Sequence, residues 1–249
     1  MVEVFNSAKD MNERGFHMRD APVAIVNYDP AGDGKDNDAI VLIQREEWRR
    51  GELHDPDLAM EFVFRVTLAH RLPVGLEFPE KLATLLRLNS SLAKWKRQKR
   101  ISTYGIGVEQ NGVGYAMGSS LRTKTSAPIL GYTTVANTTE KPYTSNKLSM
   151  PRLAALDMLR VQMELHRVKV AKDCHGKKEL LGELNSFVWA GPGRPEAIVG
   201  QKDDLVLALT GAIWLGLKVI PPVTKQVKVS AKDGVRAHAD RLRGNIRVN

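Results

Sequence analysis

The sequence predicts an α/β protein whose mixed β-sheet is flanked by helices on both faces. Two apolar runs with β character, Ala21–Asn27 and Ala39–Gln44, surround a turn rich in glycine and aspartate, which is typical of a hairpin. After this hairpin, helical and strand patterns alternate as far as Leu217. With 249 residues and 43% hydrophobic composition, the chain can bury the core that such a fold needs.

Three segments of the chain differ in character. Residues 1–20 are polar and lack clear periodicity, so we expect a linker or arm there. Residues 21–220 carry the apolar patterns and are predicted to form one domain. Residues 221–249 begin at the helix-stopping pair Pro221-Pro222, are basic, and are predicted to be a flexible tail.

The first predicted helix depends on a start signal and on spacing. His54-Asp55-Pro56 is typical of a helix start, and apolar residues at Leu58, Phe62, Val66 and Ala69 predict a helix that ends near Arg71. Further helices are predicted at Phe78–Arg100, Gly114–Arg122, Met150–His166, Glu179–Val188 and Leu205–Leu217. Strands are predicted at Ser102–Val108, Ile129–Val135 and Val168–Ala171.

The formal net charge of +9 favours polyanionic partners, with nucleic acid ahead of an anionic membrane. The chain has one cysteine, Cys174, which excludes an internal disulfide and a cysteine-based zinc cluster and is typical of a reducing compartment. No apolar run approaches the roughly 18 residues of a membrane span, and residues 1–20 lack the apolar core of a signal peptide.

Acidic residues stand where predicted elements begin or end. Asp29 follows the first strand, Glu109 follows the strand Ser102–Val108, and the pair Asp203-Asp204 opens the last helix. Taken singly, each has an ordinary explanation as a turn residue, a surface carboxylate or a helix cap. If they meet at one edge of the sheet, their mutual repulsion favours a bound divalent cation with oxygen ligands, such as Mg²⁺ or Mn²⁺.

Basic residues concentrate at the end of the helix predicted at Phe78–Arg100. They could complement the helix dipole or contact phosphates. The candidate DNA-binding residues are Lys94, Lys96, Arg97, Lys99, Arg100, Arg122, Lys124 and Lys202, together with the basic tail.

Other site motifs fail on inspection. The segment that starts at Asp29 lacks the third and twelfth ligands of a calcium-binding EF-hand loop. Asp33, Asp36 and Asp38 are assigned to the hairpin turn, and Asp33 is also considered for a supporting role beside the metal ligands. Gly112-Val113-Gly114 lacks the third glycine of a dinucleotide fingerprint. The six histidines show no zinc spacing, and no phosphate-binding Walker motif is present.

Three segments together resemble the nuclease domain of the large terminase subunit of tailed bacteriophages. They are the segment from Val26 to Gly32, the segment from Gly107 to Gly114 and the segment from Lys202 to Leu209. The resemblance spans roughly Pro22 to Leu217 and implies a ribonuclease H-like fold, in which the first strand lies beside the central parallel strand and the last helix crosses both. Where family members often have histidine before the paired acids, this sequence has Lys202.

The resemblance also implies a function. It predicts an endonuclease that cuts concatemeric viral double-stranded DNA during packaging by two-metal-ion hydrolysis of phosphodiesters, with little sequence specificity. Catalytic and metal-binding roles fall on Asp29, Glu109, Asp203 and Asp204, with two Mg²⁺ or Mn²⁺ ions as cofactors. Implied partners are double-stranded DNA, the terminase ATPase domain, the small terminase subunit and the portal, with no membrane, in the cytoplasm of a bacterial host. Because family members carry an ATPase motor, we expect this chain to be a domain separated from that motor.

Three alternatives stay open at this point. A Holliday-junction resolvase or a transposase-type nuclease would use the same fold and acids. A non-catalytic basic DNA-binding or virion protein would use the acids only in turns and caps. A dehydrogenase is the most distant, because it would need a nicotinamide cofactor at Gly112–Gly114.

Overall fold

The structure is a computed structural model that describes residues 3–5, 16–18, 20–31, 37–50, 60–136, 148–188, 196–197 and 202–218. The strands are β1 (Glu3–Phe5), β2 (Phe16–Met18), β3 (Val23–Asp29), β4 (Ala39–Arg50), β5 (Met60–Arg71), β6 (Thr103–Glu109), β7 (Ile129–Val135), β8 (Leu148–Pro151), β9 (Val168–His175), β10 (Phe187–Val188) and β11 (Glu196–Ala197). The helices are α1 (Phe78–Arg97), α2 (Gly114–Lys124), α3 (Arg152–Glu164), α4 (Lys177–Ser186) and α5 (Asp204–Lys218).

Nine of the described strands form one mixed sheet, in the order β1-β9-β5-β4-β3-β6-β7-β8 with β2 added beside β4. Strands β3, β4 and β5 pair antiparallel, which confirms the predicted hairpin. Strands β6, β7 and β8 continue from β3 in parallel. The first core strand, β3, therefore lies beside the central parallel strand β6.

Helices cover both faces of the sheet, and successive side chains of β3 therefore pack alternately against one helical layer and the other. Ala24, Val26 and Tyr28 pack with Leu85 of α1 and Leu121 of α2 on one face. On the other face α5 is buried along most of its length, and the buried Asn27 side chain donates a hydrogen bond of 3.0 Å to the Ala208 carbonyl. This architecture confirms the predicted α/β fold class, a mixed sheet flanked by helices on both faces.

The helix predicted from His54 to Arg71 is wrong, because Met60–Arg71 is strand β5. The spacing of Phe62 and Val66 by four residues suits a helical face, but four is also a multiple of the two-residue period of a strand. Phe62, Val63, Phe64 and Val66 are aromatic or β-branched, which favours a strand. Pairing with β4 on one side and β9 on the other decides the outcome. Residues 51–59, with the predicted helix start, lie outside the described residues.

Smaller differences concern element ends. Two short parts of the segment expected to be irregular, Glu3–Phe5 and Phe16–Met18, are strands that join the sheet by pairing with β9 and β4. Leu148–Pro151 is strand β8, so the following helix begins at Arg152. Strand β9 continues past Ala171 to His175, and the helix predicted at Glu179–Val188 is α4, Lys177–Ser186.

The division into an arm, a domain and a basic tail stays a prediction. Most of residues 1–20 and all of residues 221–249 lie outside the described part of the chain. Among the helices that the structure describes, none combines the length and apolar character required to cross a bilayer.

Candidate active site

Asp29 and Glu109 end neighbouring parallel strands at the same level. Tyr28 of β3 is in register with Val108 of β6, so the next residue on each strand is a carboxylate. Because side chains alternate along a strand, Asp29 shares the face of Asn27, which contacts α5. Glu109 likewise shares the face of Gly107, where an added Cβ would collide with Leu215 of α5.

Helix α5 brings the other two predicted acids to the same place. The helix crosses this face of the sheet and begins at Asp204, directly after Asp203. Burial, together with the charges of Glu109, Asp204 and Asp203, raises the pKa of Asp29 from 3.8 to about 8, and the charge of Arg152 opposes this rise. All four predicted acids therefore lie within electrostatic reach at one edge of the sheet, which we call the acid edge.

Backbone amides hold Glu109 in place at the end of β6. The Asn111 N–H donates to Oε2 over 3.3 Å, and the Thr134 N–H donates to Oε1 over 3.4 Å. The chain can turn so closely because Gly112 has a positive φ of 59° and because a Cβ on Gly114 would collide with the Glu109 carbonyl. The glycines at this turn thus allow α2 to start close to Glu109. This packing explains the two glycines without a bound dinucleotide.

The start of α5 is capped by a residue from a different helix. Asp203 occupies the N-cap position, because its carbonyl accepts the first helical bond, from the Leu207 N–H. The bonds that an N-cap side chain usually accepts go instead to buried Glu183 of α4. Its Oε2 accepts from the Leu205 N–H at 2.8 Å and from the Val206 N–H at 3.0 Å. Capping by the side chains of Asp203 or Asp204 is therefore not why aspartates stand here.

Two arginines lie beside the paired aspartates. Arg152 is 3.8 Å from Asp203, and Arg71 is 3.7 Å from Asp204 and also pairs with Glu183. Burial raises the pKa of Glu183, while the Val206 N–H and Arg71 lower it. The cluster thus combines four predicted acids with a buried fifth carboxylate and two positive charges.

A cleft of about 860 Å³ opens at the acid edge. Asp29, Glu109, Asn111, Thr134, Arg152 and Thr210 supply polar groups to its wall. Within the described part of the chain, no group of three or more His, Cys, Asp or Glu side chains is arranged to hold a metal ion. Asp203 and Asp204 are directed instead to Arg152 and Arg71.

Sequence reasoning missed Arg71, Arg152 and Glu183. Arg71 ends β5, so a correct strand prediction would have placed it at the level of Asp29 as another residue at a strand end, with Ala39 of β4 between them. Arg152 begins α3 directly after Pro151. The sequence reveals this helix start, but nothing local to it indicates a contact with the acids. Glu183 has no local sequence feature, because its contacts with α5 form only in the folded chain.

Most of the predicted DNA-binding residues do not lie at the acid edge. Strand β6 runs from Thr103 to Glu109, and α1 and α2 both end near its beginning, where Lys96, Arg97 and Tyr104 line one groove. Lys202 is the exception, since its ammonium group donates to the Asn37 Oδ1 beside the hairpin. Lys94, Lys96, Arg97, Lys99, Arg100, Arg122 and Lys124 are exposed at the opposite edge of the sheet.

Asp38 has the structural role that the sequence assigned to it. Its buried carboxylate accepts hydrogen bonds from the Tyr28 hydroxyl at 2.5 Å and the Ala31 N–H at 3.0 Å, and it pairs with Lys81 at 2.9 Å. These contacts fasten the hairpin directly after Asp29. Asp33 and Asp36 lie outside the described residues.

Cys174 and the histidines show no catalytic arrangement in the part of the chain that the structure describes. Burial raises the pKa of the Cys174 thiol to about 11, so the thiolate is scarce at neutral pH. The rings of His70 and His175 are 5.3 Å apart, and burial lowers the pKa of His70.

No family model and no curated protein matches the chain. Among solved structures, the chain is similar to the human cytomegalovirus terminase nuclease domain, soaked with manganese and bound to an inhibitor. The identity is 14%, the TM-score is 0.49, and 88% of this chain and 91% of that chain are covered. Two further structures of that domain, one of them soaked with manganese, match with TM-scores of 0.48 and 0.46 at 14% and 12% identity. They cover 86% of this chain and 90% and 89% of their own. The similarity lies in the path of the backbone.

Proposed function

We propose that this protein is a metal-dependent endonuclease that hydrolyses phosphodiesters of double-stranded DNA at the acid edge. The observation that carries the proposal is a cleft lined by Asp29 and Glu109, together with the electrostatic coupling of Asp29 to Asp203 and Asp204. Burial and the other carboxylates raise the pKa of Asp29 to about 8. Carboxylates that repel one another at a strand end are costly, and such cost is typical of functional sites.

The donor set fits a hard divalent cation, because its side chains offer only carboxylate oxygens. Glu109 is already held by two backbone amides, so it offers a fixed ligand. Asp203 and Asp204 must rotate away from Arg152 and Arg71 to reach an ion beside Asp29. When bound, Mg²⁺ or Mn²⁺ ions supply activation of water and neutralisation of the phosphate charge.

The chain's own groups have separate tasks in this proposal. Asp29, Glu109 and the pair Asp203-Asp204 hold the ions. Arg152 is 44% exposed and lines the cleft, so its guanidinium can leave Asp203 and contact a phosphate oxygen. Arg71 stays with buried Glu183, which keeps the start of α5 at the cleft.

Cleavage of supercoiled plasmid tests the proposal. The wild-type protein is expected to nick the plasmid in Mn²⁺ or Mg²⁺ and not in EDTA, and Asp29→Asn is expected to lose activity by at least about a hundredfold. Asp157→Asn is the matched control, because Asp157 is an exposed aspartate on α3. Full activity of the Asp29 variant would exclude this site.

We further propose that the natural substrate is concatemeric viral DNA, cut during genome packaging in a bacterial host. The sequence resemblance to phage terminases supports this role, with the ATPase domain, the small subunit and the portal as partners. Copurification of these components from infected cells tests the role. If a four-way junction is cut in preference to its linear arms, a resolvase replaces the packaging nuclease.

A non-catalytic DNA-binding protein is the second candidate. Arg71 and Arg152 already lie beside Asp204 and Asp203, so the charges of these aspartates are offset without a metal ion. Titration calorimetry separates the two candidates. The nuclease is expected to bind Mn²⁺ and to lose binding in Asp29→Asn. Intact DNA binding without any metal binding would favour the second candidate.

A further inference from the structure

The edge of the sheet opposite the acids carries a compact set of positive charges. We call it the basic edge, defined by Lys94, Lys96, Arg97, Lys99, Arg100, Arg122 and Lys124. These residues stand at the ends of α1 and α2 and in the turn after α1. Strand β6 begins at this edge and ends at Glu109, so the two edges are roughly 20 Å apart along the strand at about 3.3 Å per residue.

The two edges also use different faces of the sheet. Helices α1 and α2 pack on the face of Val26 and Tyr28, whereas α5 brings Asp203 and Asp204 to the face of Asn27. A ligand held at the basic edge therefore does not lie in the cleft of the acid edge.

Positive charge dominates the stretch of chain that carries the basic edge. From Lys81 to Val135, all of which the structure describes, the only acidic residue is Glu109, at the far end of β6. The seven side chains of the basic edge form no ion pair with any other described residue. Nothing in this part of the chain offsets their charge, so the surface attracts polyanions.

A groove of about 430 Å³ lies within the basic edge. Its wall includes Lys96 and Arg97 from α1, Tyr104 from the start of β6 and Ser126 after α2. The Tyr104 hydroxyl donates to Asn89 Oδ1 at 3.1 Å, which ties the groove to α1. Ammonium, guanidinium and hydroxyl groups around a concave surface suit phosphate oxygens.

The turn after α1 is closed by hydrogen bonds and places a lysine at a positive φ. Arg100 N–H donates to the Trp95 carbonyl at 2.9 Å, Lys99 N–H donates to the Lys96 carbonyl at 3.0 Å, and the Arg100 guanidinium lies 5.1 Å from the Trp95 ring centroid. This is a Schellman end, in which the residue with positive φ is usually glycine. Here it is Lys99, with φ of 57°. A charged residue therefore replaces the residue that the backbone favours.

We propose that the basic edge is a second binding surface for the phosphate backbone of duplex DNA, separate from the carboxylate cleft. The proposal rests on the proposed function only in taking DNA as the ligand. Two helix ends contribute charges from a stretch of chain, residues 81–135, whose one acidic residue is Glu109 at the far end of β6. Such a surface suits a repeating line of phosphates better than an acidic peptide with its own apolar side chains. The surface holds the duplex by its phosphates without reading its sequence.

Fluorescence anisotropy of a labelled duplex of about 30 base pairs, in EDTA to prevent cleavage, tests the surface. The double variant Lys96→Glu, Arg97→Glu is expected to bind at least about tenfold more weakly and to lower the slope of log affinity against log salt by about 2. The matched control is Lys172→Glu, Lys178→Glu, which changes the net charge equally at exposed positions of β9 and α4. Equal loss of affinity in both double variants would overturn the proposal.

Two further measurements complete the test. Lys99→Gly is expected to lower DNA affinity while the Tm stays equal or rises, a combination that a purely structural lysine does not produce. Poly-glutamate at equal charge is expected to displace the duplex poorly, and equal displacement would contradict a phosphate surface. Binding that depends on Lys96 and Arg97 without cleavage by the wild type would refute the proposed nuclease and leave this surface standing.

Discussion

The two ends of strand β6 differ in how they carry charge. At Glu109 the charges are partly buried, lie close together and are held by contacts from distant segments of the chain, with the pKa of Asp29 raised to about 8. At Thr103 the charges are exposed, alike in sign and carried by helix ends. Buried charges make the stability of the fold depend on pH, whereas exposed charges make binding depend on ionic strength. Substitutions at the two ends should therefore be detected by different measurements.

The largest effect on stability is expected from Glu183→Ala at the acid edge. The change removes two hydrogen bonds to α5 and leaves Arg71 without its buried partner, which should cost about 3–5 kcal/mol of unfolding free energy. Urea denaturation measures it. Glu179→Ala, at an exposed position of the same helix, is the control and should stay within about 0.5 kcal/mol of the wild type. An equal loss in both variants would show that α4 is merely sensitive to substitution.

Asp29 should make the metal-free protein less stable as pH rises. Its pKa is about 8 when folded and near 3.8 when unfolded, so the folded state binds the proton more tightly. The stability from this group is full below about pH 4 and is lost as pH approaches about 8. In EDTA at about pH 8, Asp29→Asn should have an unfolding free energy on the order of 2 kcal/mol higher than that of the wild type, or a Tm roughly 5 °C higher. The difference is smaller than the full pKa shift implies, because water in the cleft screens part of the repulsion. A Tm of the wild type that does not fall over this pH range would contradict the clustered acids.

Arg152→Gln should shift the same titration by a smaller amount. Arg152 lowers the pKa of Asp29, so its removal should move the titration to higher pH. Mn²⁺ binding followed by calorimetry across pH reports the midpoint, because the proton and the ion compete for the carboxylates. Arg160→Gln, on the solvent side of α3 beside Asp157, is the control and should leave the midpoint unchanged.

The smallest stability effects are expected at the basic edge. Lys99→Gly relieves a positive φ at a position where glycine is favoured and should stabilise the protein by about 1 kcal/mol. The Lys96→Glu, Arg97→Glu variant should change stability by less than about 0.5 kcal/mol, because both side chains are exposed. Thermal denaturation measures both variants. A large loss of stability in the double variant would mean that the basic edge supports the fold. It would contradict the proposed difference between the two ends of β6.

The sequence by itself determined the features that depend on neighbouring residues. The hairpin of β3 and β4, the alternation of helices and strands, and the position of four acids at element ends all follow from local patterns of polarity, glycine and proline. The strand prediction at Ile129–Val135 is confirmed without change as β7, because a short apolar run between turn residues has few alternatives. The assignment of Asp38 to the hairpin also follows from its place in the turn.

Only the tertiary structure decided what those elements touch. Met60–Arg71 is a strand because β4 and β9 pair with it, although its four-residue spacing permits a helix equally well. Glu183 caps α5 across a separation of 22 residues, which no local pattern reveals. The candidate DNA-binding residues other than Lys202 lie at the other end of β6 from the acids, because α1 and α2 both end there. Local sequence determines where a charge stands on its element, and packing determines which charges it meets.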